Sequence, residues 1–380
     1  MNLYAGYYQV GQEKFTNKLY AAIKASEQNL EMTWHFHDDL FTNIKPKGLN
    51  LKTLYKQRAQ QLREKYDYLI LYYSGGSDSW TVLNTFLENN IKLDHIFVKW
   101  PLSAMDKGFY KANEIDKTAY NFVSEWDLVL KNDLQWLAQN HPEIKIEIGD
   151  WLENLNVDYF DDNIFDSAVH HLFMTNLLRV PYGSKTEKQL VNKGVKVGSI
   201  YGVDKPAVVV HNNKLYYFFK DGAVSTCPIR PENPYGTEYF YWTPDMPNIV
   251  VEQAFQIYKW YKVNIDKIYV VLSTINAPEK KYWSDLEHSR NFQISADYVR
   301  AIVYPDWDLK KFQADKPIPV PEFDGKQKDY WIEIRPEFRE IKPAWRYHWL
   351  SYISKVKNKF LQENKELKIS RSKYHYVADL

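Results

Sequence analysis

The segment Tyr68-Leu69-Ile70-Leu71-Tyr72-Tyr73-Ser74-Gly75-Gly76-Ser77-Asp78-Ser79 decides how this chain folds. Its first half is apolar and rich in branched and aromatic side chains, which is typical of a buried strand, and the apolar run stops shortly before a pair of glycines. Apolar residues then return at helical spacing, namely Trp80, Val82, Leu83, Phe86 and Leu87. The segment therefore predicts a strand, a tight turn and a helix, in that order.

The turn between this strand and this helix has the residues of a phosphate-binding loop. Gly75 and Gly76 let backbone N–H groups approach an anion with no Cβ in the way, and the first turn of a helix adds N–H donors and the positive end of its dipole. Asp78 supplies a carboxylate of the kind that Mg²⁺ binds. Hydroxyls that can donate to phosphate oxygens come from Ser74, Ser77 and Ser79. The structural alternative is a Gly-Gly turn with Ser and Asp as helix caps.

Residues 74–79 resemble the SGGxDS signature of the PP-loop superfamily, also called the N-type ATP pyrophosphatases. They lack the lysine that follows the second glycine of a Walker A loop. The resemblance implies an α/β fold, a Rossmann-like α/β/α sandwich with a parallel sheet of the adenine nucleotide alpha hydrolase-like type. It also implies that the loop holds the pyrophosphate of ATP, with Mg²⁺ as the metal.

The looser resemblance to this superfamily covers residues 50–260. The chain as a whole is similar to PP-loop proteins of bacteriophages, which are grouped with cyano-deazaguanine synthase-like or phosphoadenylyl-sulfate-reductase-like proteins. Those synthases carry a cysteine zinc cluster and those reductases carry a C-terminal catalytic cysteine. This chain has a single cysteine, Cys227, and therefore departs from both.

The resemblance also implies where the rest of the nucleotide site lies. In the superfamily the adenine sits between the ends of the first two strands of the sheet, which would place Tyr72, Val98 and Lys99 nearby. A loop after a later strand supplies a magnesium carboxylate or a cation for the leaving pyrophosphate, and Asp204 and Lys205 resemble that loop. The alternative is that Asp204 and Lys205 belong to an ordinary turn.

Elsewhere the chain alternates strands with helices, which predicts a parallel sheet with right-handed crossovers. Helical spacing follows Leu51 and recurs in residues 114–140 and 159–179, and Arg179 in the last of these is a further candidate for phosphate binding. Apolar runs predict strands at 93–100, 144–148 and 195–201. Two more runs flank Asn212-Asn213 and predict a β-hairpin, over residues 207–211 and 214–219.

Three regions are predicted along the chain. Residues 1–50 form an N-terminal extension that packs on the core, and the segment Trp34-His35-Phe36-His37-Asp38-Asp39 indicates a half-buried strand rather than a metal site. Residues 51–239 form the PP-loop ATP-binding α/β domain, with the hairpin as an insertion. Residues 240–380 form a mostly helical C-terminal region, which resembles the appended modules that choose acceptors in this superfamily.

The composition narrows the classes of function. The 380 residues carry 49 Lys and Arg against 48 Asp and Glu, so no global field draws the protein to nucleic acid or to a membrane surface. No apolar run reaches the length of a membrane span, and the start does not have the profile of a signal peptide. We therefore expect a cytoplasmic protein, in the host cytoplasm if a phage encodes it. With Cys227 alone we expect no intrachain disulfide, no disulfide-linked partner and no cysteine zinc cluster.

These observations and the resemblance predict an AMP-forming ligase or amidating enzyme that adenylates an acceptor and releases pyrophosphate. Asp78 and Lys205 are the candidate catalytic residues, and Asp78 and Asp204 are the candidate magnesium ligands. The acceptor, a small molecule or RNA, and the oligomeric state stay open. One alternative is sulfur chemistry, either reduction of an adenylyl sulfate or thiolation of RNA, which would need Cys227 as a reactive thiol. Another is a nucleotide-binding module without turnover.

Overall fold

A five-stranded parallel sheet forms the centre of the structure. The structure is a computed structural model, and it describes residues 6–16, 18–100, 129–150, 183–211, 214–224, 233, 235–260, 292–294, 300–307 and 370–379. In chain order the elements are β1 (Tyr7–Val10), β2 (Glu13–Phe15), α1 (Lys18–Gln28), β3 (Met32–His35), α2 (Leu51–Lys65), β4 (Tyr68–Tyr72), α3 (Ser77–Glu88), β5 (His95–Trp100), α4 (Lys131–Asn140), β6 (Lys145–Asp150), α5 (Lys185–Asn192), β7 (Val197–Tyr201), β8 (Ala207–His211), β9 (Lys214–Phe218), α6 (Asp221–Val224), β10 (Thr237–Tyr239), α7 (248–260), β11 (Phe292–Ile294), α8 (Arg300–Val303) and β12 (His375–Asp379). The succession of β4, a turn and α3 confirms the strand, turn and helix that the sequence predicts.

The strands of this central sheet lie in the order β10-β7-β4-β5-β6, and every neighbouring pair is parallel. From β4 the chain moves outward through β5 to β6, and then returns to the other side of β4 to form β7 and β10. The direction of winding therefore reverses between β4 and β7. In doubly wound sheets, ligands bind beyond the carboxyl ends of the strands at such a reversal, and the loops that follow β4 and β7 both lie there.

Helices cover both faces of the central sheet. Leu69 and Leu71 of β4 belong to the large core, together with buried residues of α2 and α3. Ile70 lies between them in sequence and packs on the opposite face, because successive residues of a strand alternate between faces. Its neighbours on that face come from β5, β7 and α5, namely Phe97, Val197, Leu190 and Val191. The arrangement is a five-stranded parallel sheet flanked by helices, which agrees with the predicted Rossmann-like α/β class.

The remaining described strands form two antiparallel sheets, β2-β1-β3 and β11-β8-β9-β12. The pairing of β8 with β9, in which His211 lies opposite Lys214, confirms the predicted hairpin. The N-terminal sheet shares the large core with the central sheet, since Tyr8 and Trp34 are both buried in it. β3 confirms only the start of the strand predicted at 34–39, because it ends at His35 and His37 has a φ of +47° in the turn that follows. Within the part of the chain that the structure describes, no group of three or more metal-ligating side chains forms.

The C-terminal region, predicted as mostly helical, contains strands as well as helices among its described residues. α7 and α8 agree with the prediction, but β11 pairs with β8 and β12 pairs with β9. Pairing with distant strands makes these two segments extended, and no local spacing reveals it. Residues 261–291, 295–299, 308–369 and 380 of this region lie outside the described residues, as do 114–128 and the predicted helix at 159–179. No helix in the described ranges is long and apolar enough to cross a membrane.

Candidate functional site

The loop of residues 74–79 leaves the carboxyl end of β4 and enters α3. Gly75 has a φ of +79°, and a Cβ added there would lie 2.8 Å from Leu130 Cγ. The backbone conformation and the packing therefore both require glycine at this position. Gly76 differs, because its φ of −73° and ψ of 161° are open to any residue. Gly76 is the N-cap residue of α3 and provides no side-chain cap, as expected of a helix start that binds an anion.

The three serine hydroxyls of the loop have different surroundings. Ser79 Oγ accepts from Ser74 N over 3.2 Å and donates to the Gly76 carbonyl over 3.1 Å, so it stabilises the turn itself. The Ser74 hydroxyl lies 3.2 Å from Ser79 Oγ, and Ser74 is exposed. Ser77 is fully buried. Of the three, Ser74 is therefore the hydroxyl most open to a ligand.

Lys205 joins this loop to the loop that follows β7. Its Nζ lies 2.6 Å from Asp78 Oδ1 and 3.0 Å from Asp204 Oδ1. The Lys205 side chain is 5% exposed, whereas the side chains of Asp78 and Asp204 are 31% and 37% exposed. The structure thus brings together two stretches that the sequence marks separately. A buried cation lies between two carboxylates that solvent can reach.

Tyr304 and Tyr241 complete the surroundings of Asp78. The Tyr304 hydroxyl donates to Asp78 Oδ1, and the Tyr241 hydroxyl donates to the backbone carbonyl of Asp78 over 2.9 Å. The two tyrosine rings have their centres 5.4 Å apart, and Lys205 Nζ lies 5.2 Å from the centre of the Tyr304 ring. Asp78 is therefore held through its carboxylate and its backbone by residues from three distant parts of the chain.

Burial and charge set the protonation of this cluster. Burial raises the pKa of Asp78; Lys205 opposes this shift and the nearby Asp204 reinforces it. Burial by itself would lower the pKa of Lys205, but the carboxylates of Asp204 and Asp78 together raise it above its ordinary value. Burial, followed by the charge of Asp78, raises the pKa of Tyr304 well above its usual range. At neutral pH Lys205 is therefore an ammonium group and Tyr304 is a neutral phenol that donates.

Asp78 and Asp204 suit a magnesium ion by the chemistry of their donors. Both are carboxylates, the hard oxygen ligands that Mg²⁺ takes, and Lys205 shows that one cation can contact both. The hydrogen bonds to the Asp78 side chain go to Oδ1, and Oδ2 accepts none from the residues that the structure describes. These two aspartates would hold the metal.

The residues predicted to lie near adenine are divided between the two faces of the central sheet. Tyr72 and Lys99 lie on the face that α5 covers, and the Tyr72 hydroxyl donates to Glu187 of α5 over 2.7 Å. Val98 is fully buried in the core on the other face, so its backbone alone can contact a base. Arg179 lies outside the described residues.

Three residues of this site were not singled out from the sequence. A Cβ added to Gly202, directly after β7, would lie 2.9 Å from the carbonyl carbon of Asp78 and 3.0 Å from Ser79 N. A glycine after a strand is a signal for such a close approach of two backbones. Tyr304 and Tyr241 carry no local signal, because their partner Asp78 is 226 and 163 residues away in the chain.

Comparisons with known proteins give no family for this chain. It matches no family model, no curated protein and no solved structure.

Replacing Gly202 with alanine is expected to lower the free energy of unfolding by about 1–3 kcal/mol, because the added methyl overpacks the contact between the loop after β7 and the start of α3. Urea unfolding measures this loss. Gly194→Ala is the matched control, since a Cβ there has no atom within 4 Å and its cost comes from a φ of +79° alone. A Gly202→Ala protein as stable as the unsubstituted one would contradict the close contact of the two loops.

Proposed function

We propose that this chain is an ATP-dependent enzyme of the PP-loop type, which cleaves ATP between its α- and β-phosphates and adenylates an acceptor. ATP binds over residues 74–79, and Asp78 and Asp204 hold Mg²⁺. The observation that carries the proposal is the cluster in which Lys205 links Asp78 of the first loop to Asp204 of the second.

The position of this cluster in the fold supports the proposal. β4 and β7 are neighbours, and the winding of the sheet reverses between them. The loops after these two strands therefore flank the crevice in which doubly wound sheets bind ligands. The N-terminus of α3 opens into the same place and favours a negative charge. A helix start and a lysine suit the phosphates of a magnesium nucleotide, and two carboxylates suit its metal.

The reaction depends on the stabilisation of charge more than on proton transfer. An acceptor oxygen forms a bond to the α-phosphorus while the bond from that phosphorus to the bridging oxygen breaks. Pyrophosphate leaves with the electron pair of the broken bond, and the proton of the acceptor passes to solvent. Lys205 remains charged and offsets the negative charge that develops on the pyrophosphate. Mg²⁺, when bound, polarises the phosphate oxygens.

The proposal leaves the acceptor as a small molecule or an RNA. The long C-terminal region is the part of the chain that we assign to the choice of acceptor, because its described segment 300–307 reaches the cluster through Tyr304. We place the reaction in the cytoplasm, where ATP and Mg²⁺ are both abundant.

Incubation of the purified protein with Mg²⁺, ATP labelled at the α-phosphate and a cellular metabolite extract tests the proposal. The expected result is release of pyrophosphate together with a labelled, adenylated product that mass spectrometry identifies, and both disappear when EDTA removes the metal. Release of orthophosphate would contradict cleavage between the α- and β-phosphates. Binding of ATP with no release would favour the module without turnover, and a product that has gained sulfur would favour sulfur chemistry.

A further inference from the structure

Tyr304 reaches the candidate site from a part of the chain that lies beyond the loose PP-loop resemblance of residues 50–260. We infer that Tyr304 is a positioning residue for Asp78: its hydroxyl fixes the carboxylate through Oδ1, which leaves Oδ2 available to the metal of a magnesium nucleotide. This inference rests on the proposed function, because it assigns a role to a residue of the same site.

The segment that carries Tyr304 is held in place by its own contacts. The Tyr304 N–H donates to the Arg300 carbonyl over 2.8 Å and closes the last turn of α8. The Tyr55 hydroxyl of α2 donates to the Val303 carbonyl over 2.6 Å. On the far side of Tyr304, Lys52 Nζ lies 2.7 Å from Asp306 Oδ1. Contacts with α2 therefore precede and follow Tyr304, and they fix the direction from which its side chain approaches Asp78.

The hydroxyl of Tyr304 is placed to act on the carboxylate of Asp78 and on little else. Tyr304 is 1% exposed, so water does not compete for the hydroxyl. Its proton goes to the same oxygen, Asp78 Oδ1, that accepts from Lys205. Two donors on one oxygen restrict the rotation of a carboxylate more than a single donor does. The side chain of Asp78 nevertheless stays 31% exposed, so a ligand can reach it.

The ring of Tyr304 has a separate role from its hydroxyl. It packs against Tyr241 and lies under Lys205 Nζ, and phenylalanine would keep both contacts. A Tyr304→Phe substitution therefore removes one hydrogen bond to a charged group and leaves the packing in place. The substitution therefore tests the role of the hydroxyl without creating a cavity in the core.

The test compares how Tyr304→Phe and unsubstituted protein depend on Mg²⁺ when they bind α,β-methylene-ATP, an analogue that cannot be cleaved at the relevant bond. We expect the Mg²⁺ concentration for half-maximal binding in calorimetry to rise about tenfold, the scale of one hydrogen bond to a charged group. We expect the Mg²⁺ requirement for pyrophosphate release to rise by a similar factor, with kcat at saturating Mg²⁺ changed less. A purely structural role would lower the folded fraction without moving the Mg²⁺ requirement.

Tyr217→Phe is the matched control, since it removes a buried tyrosine hydroxyl that donates to the Phe41 carbonyl over 2.9 Å in the antiparallel sheet. It should have a similar melting temperature to Tyr304→Phe and an unchanged Mg²⁺ requirement. If the Tyr304 hydroxyl acts through the Asp78 carboxylate, adding Tyr304→Phe to Asp78→Asn should not change the Mg²⁺ requirement further.

The outcomes separate this inference from the proposed function. An unsubstituted protein that binds the analogue with Mg²⁺ but releases no pyrophosphate contradicts the proposed reaction, and the role of Tyr304 is then decided by the binding data. An unchanged Mg²⁺ requirement in a folded Tyr304→Phe protein overturns the inference and leaves the reaction standing. An unsubstituted protein that does not bind the analogue overturns both.

Discussion

Replacing Asp78 with asparagine is expected to lower magnesium-dependent release of pyrophosphate about a thousandfold, because a metal-binding carboxylate contributes several kcal/mol to the stabilisation of a phosphoryl-transfer transition state. Asparagine has nearly the same shape as aspartate and can still accept the hydrogen bonds of Lys205 and Tyr304. The substitution therefore removes the charge while it keeps the contacts. Steady-state assays over a range of Mg²⁺ concentrations measure the effect.

The same substitution is expected to leave the fold intact. Burial raises the pKa of Asp78 above its ordinary value, so the folded protein disfavours the charged form of this side chain, and a neutral amide avoids that cost. Thermal unfolding should therefore show no large loss of stability. The remaining charge of Asp204 still pairs with Lys205 over 3.0 Å.

Asp94→Asn is the matched control for this experiment. Asp94 is also an aspartate paired with a lysine, at 2.7 Å from Lys92 Nζ, and it is more buried than Asp78, but it lies directly before β5 and thus at the amino edge of the central sheet. It should lose stability and keep turnover per folded molecule. Equal turnover of the Asp78→Asn and unsubstituted proteins would remove Asp78 from the metal site and with it the basis of the proposed function.

Four of the five strands of the central sheet could be predicted from the sequence because their signals are local, whereas β10 is not among the predicted strands. Residues 68–88 contain an apolar run, two glycines and a helical repeat within a short length, and each of these fixes the backbone of its own segment. The strands at β5, β6 and β7 are short apolar or alternating runs next to turn residues in the same way. Their alternation with helices then predicts parallel pairing and a sandwich.

The pairing of β11 and β12 with the predicted hairpin depends on distant partners, and the sequence does not indicate it. β11 and β12 are short and lie in the region predicted as mostly helical, yet they border the hairpin on either side. Strand propensity is a property of packing against neighbours, so a segment with no recognisable local pattern becomes a strand when an edge is available. The buried pair Lys18 and Asp221, 2.6 Å apart, likewise connects segments that no periodicity relates.

The candidate site shows the same division between local and distant information. Short stretches of sequence indicate Gly75, Asp78, Asp204 and Lys205, but they carry no information on the distance between those stretches. The direct contact of Lys205 with Asp78 arises because β4 and β7 become neighbours in the sheet. The Ser79 hydroxyl, predicted to donate to phosphate, donates to the Gly76 carbonyl within the loop, because serine side chains in turns can bond to nearby backbone groups.

Replacing Lys205 with alanine is expected to lower kcat about a hundred- to a thousandfold while ATP binding weakens much less. A group that stabilises the charge developing on the leaving pyrophosphate acts more strongly in the transition state than in the bound substrate. Assays of kcat and KM, together with calorimetry of ATP, separate the two effects. Although burial opposes it, the carboxylates of Asp204 and Asp78 raise the pKa of Lys205 above its ordinary value. Loss of its proton should therefore not limit the rate between pH 6 and 9, a range well below the usual lysine pKa of about 10.4.

Replacing Lys205 with alanine should also change the stability of the protein in a way that replacing a surface lysine would not. Without Lys205, Asp78 and Asp204 lie near each other with no cation between them, so the metal-free protein should melt at a lower temperature and regain stability when Mg²⁺ is added. Lys92→Ala is the control, because Lys92 is 73% exposed in its pair with Asp94 and should give neither effect. A rise in KM with unchanged kcat would make Lys205 a residue of ATP binding alone. A melting temperature that Mg²⁺ does not restore would show that the two carboxylates do not share a metal.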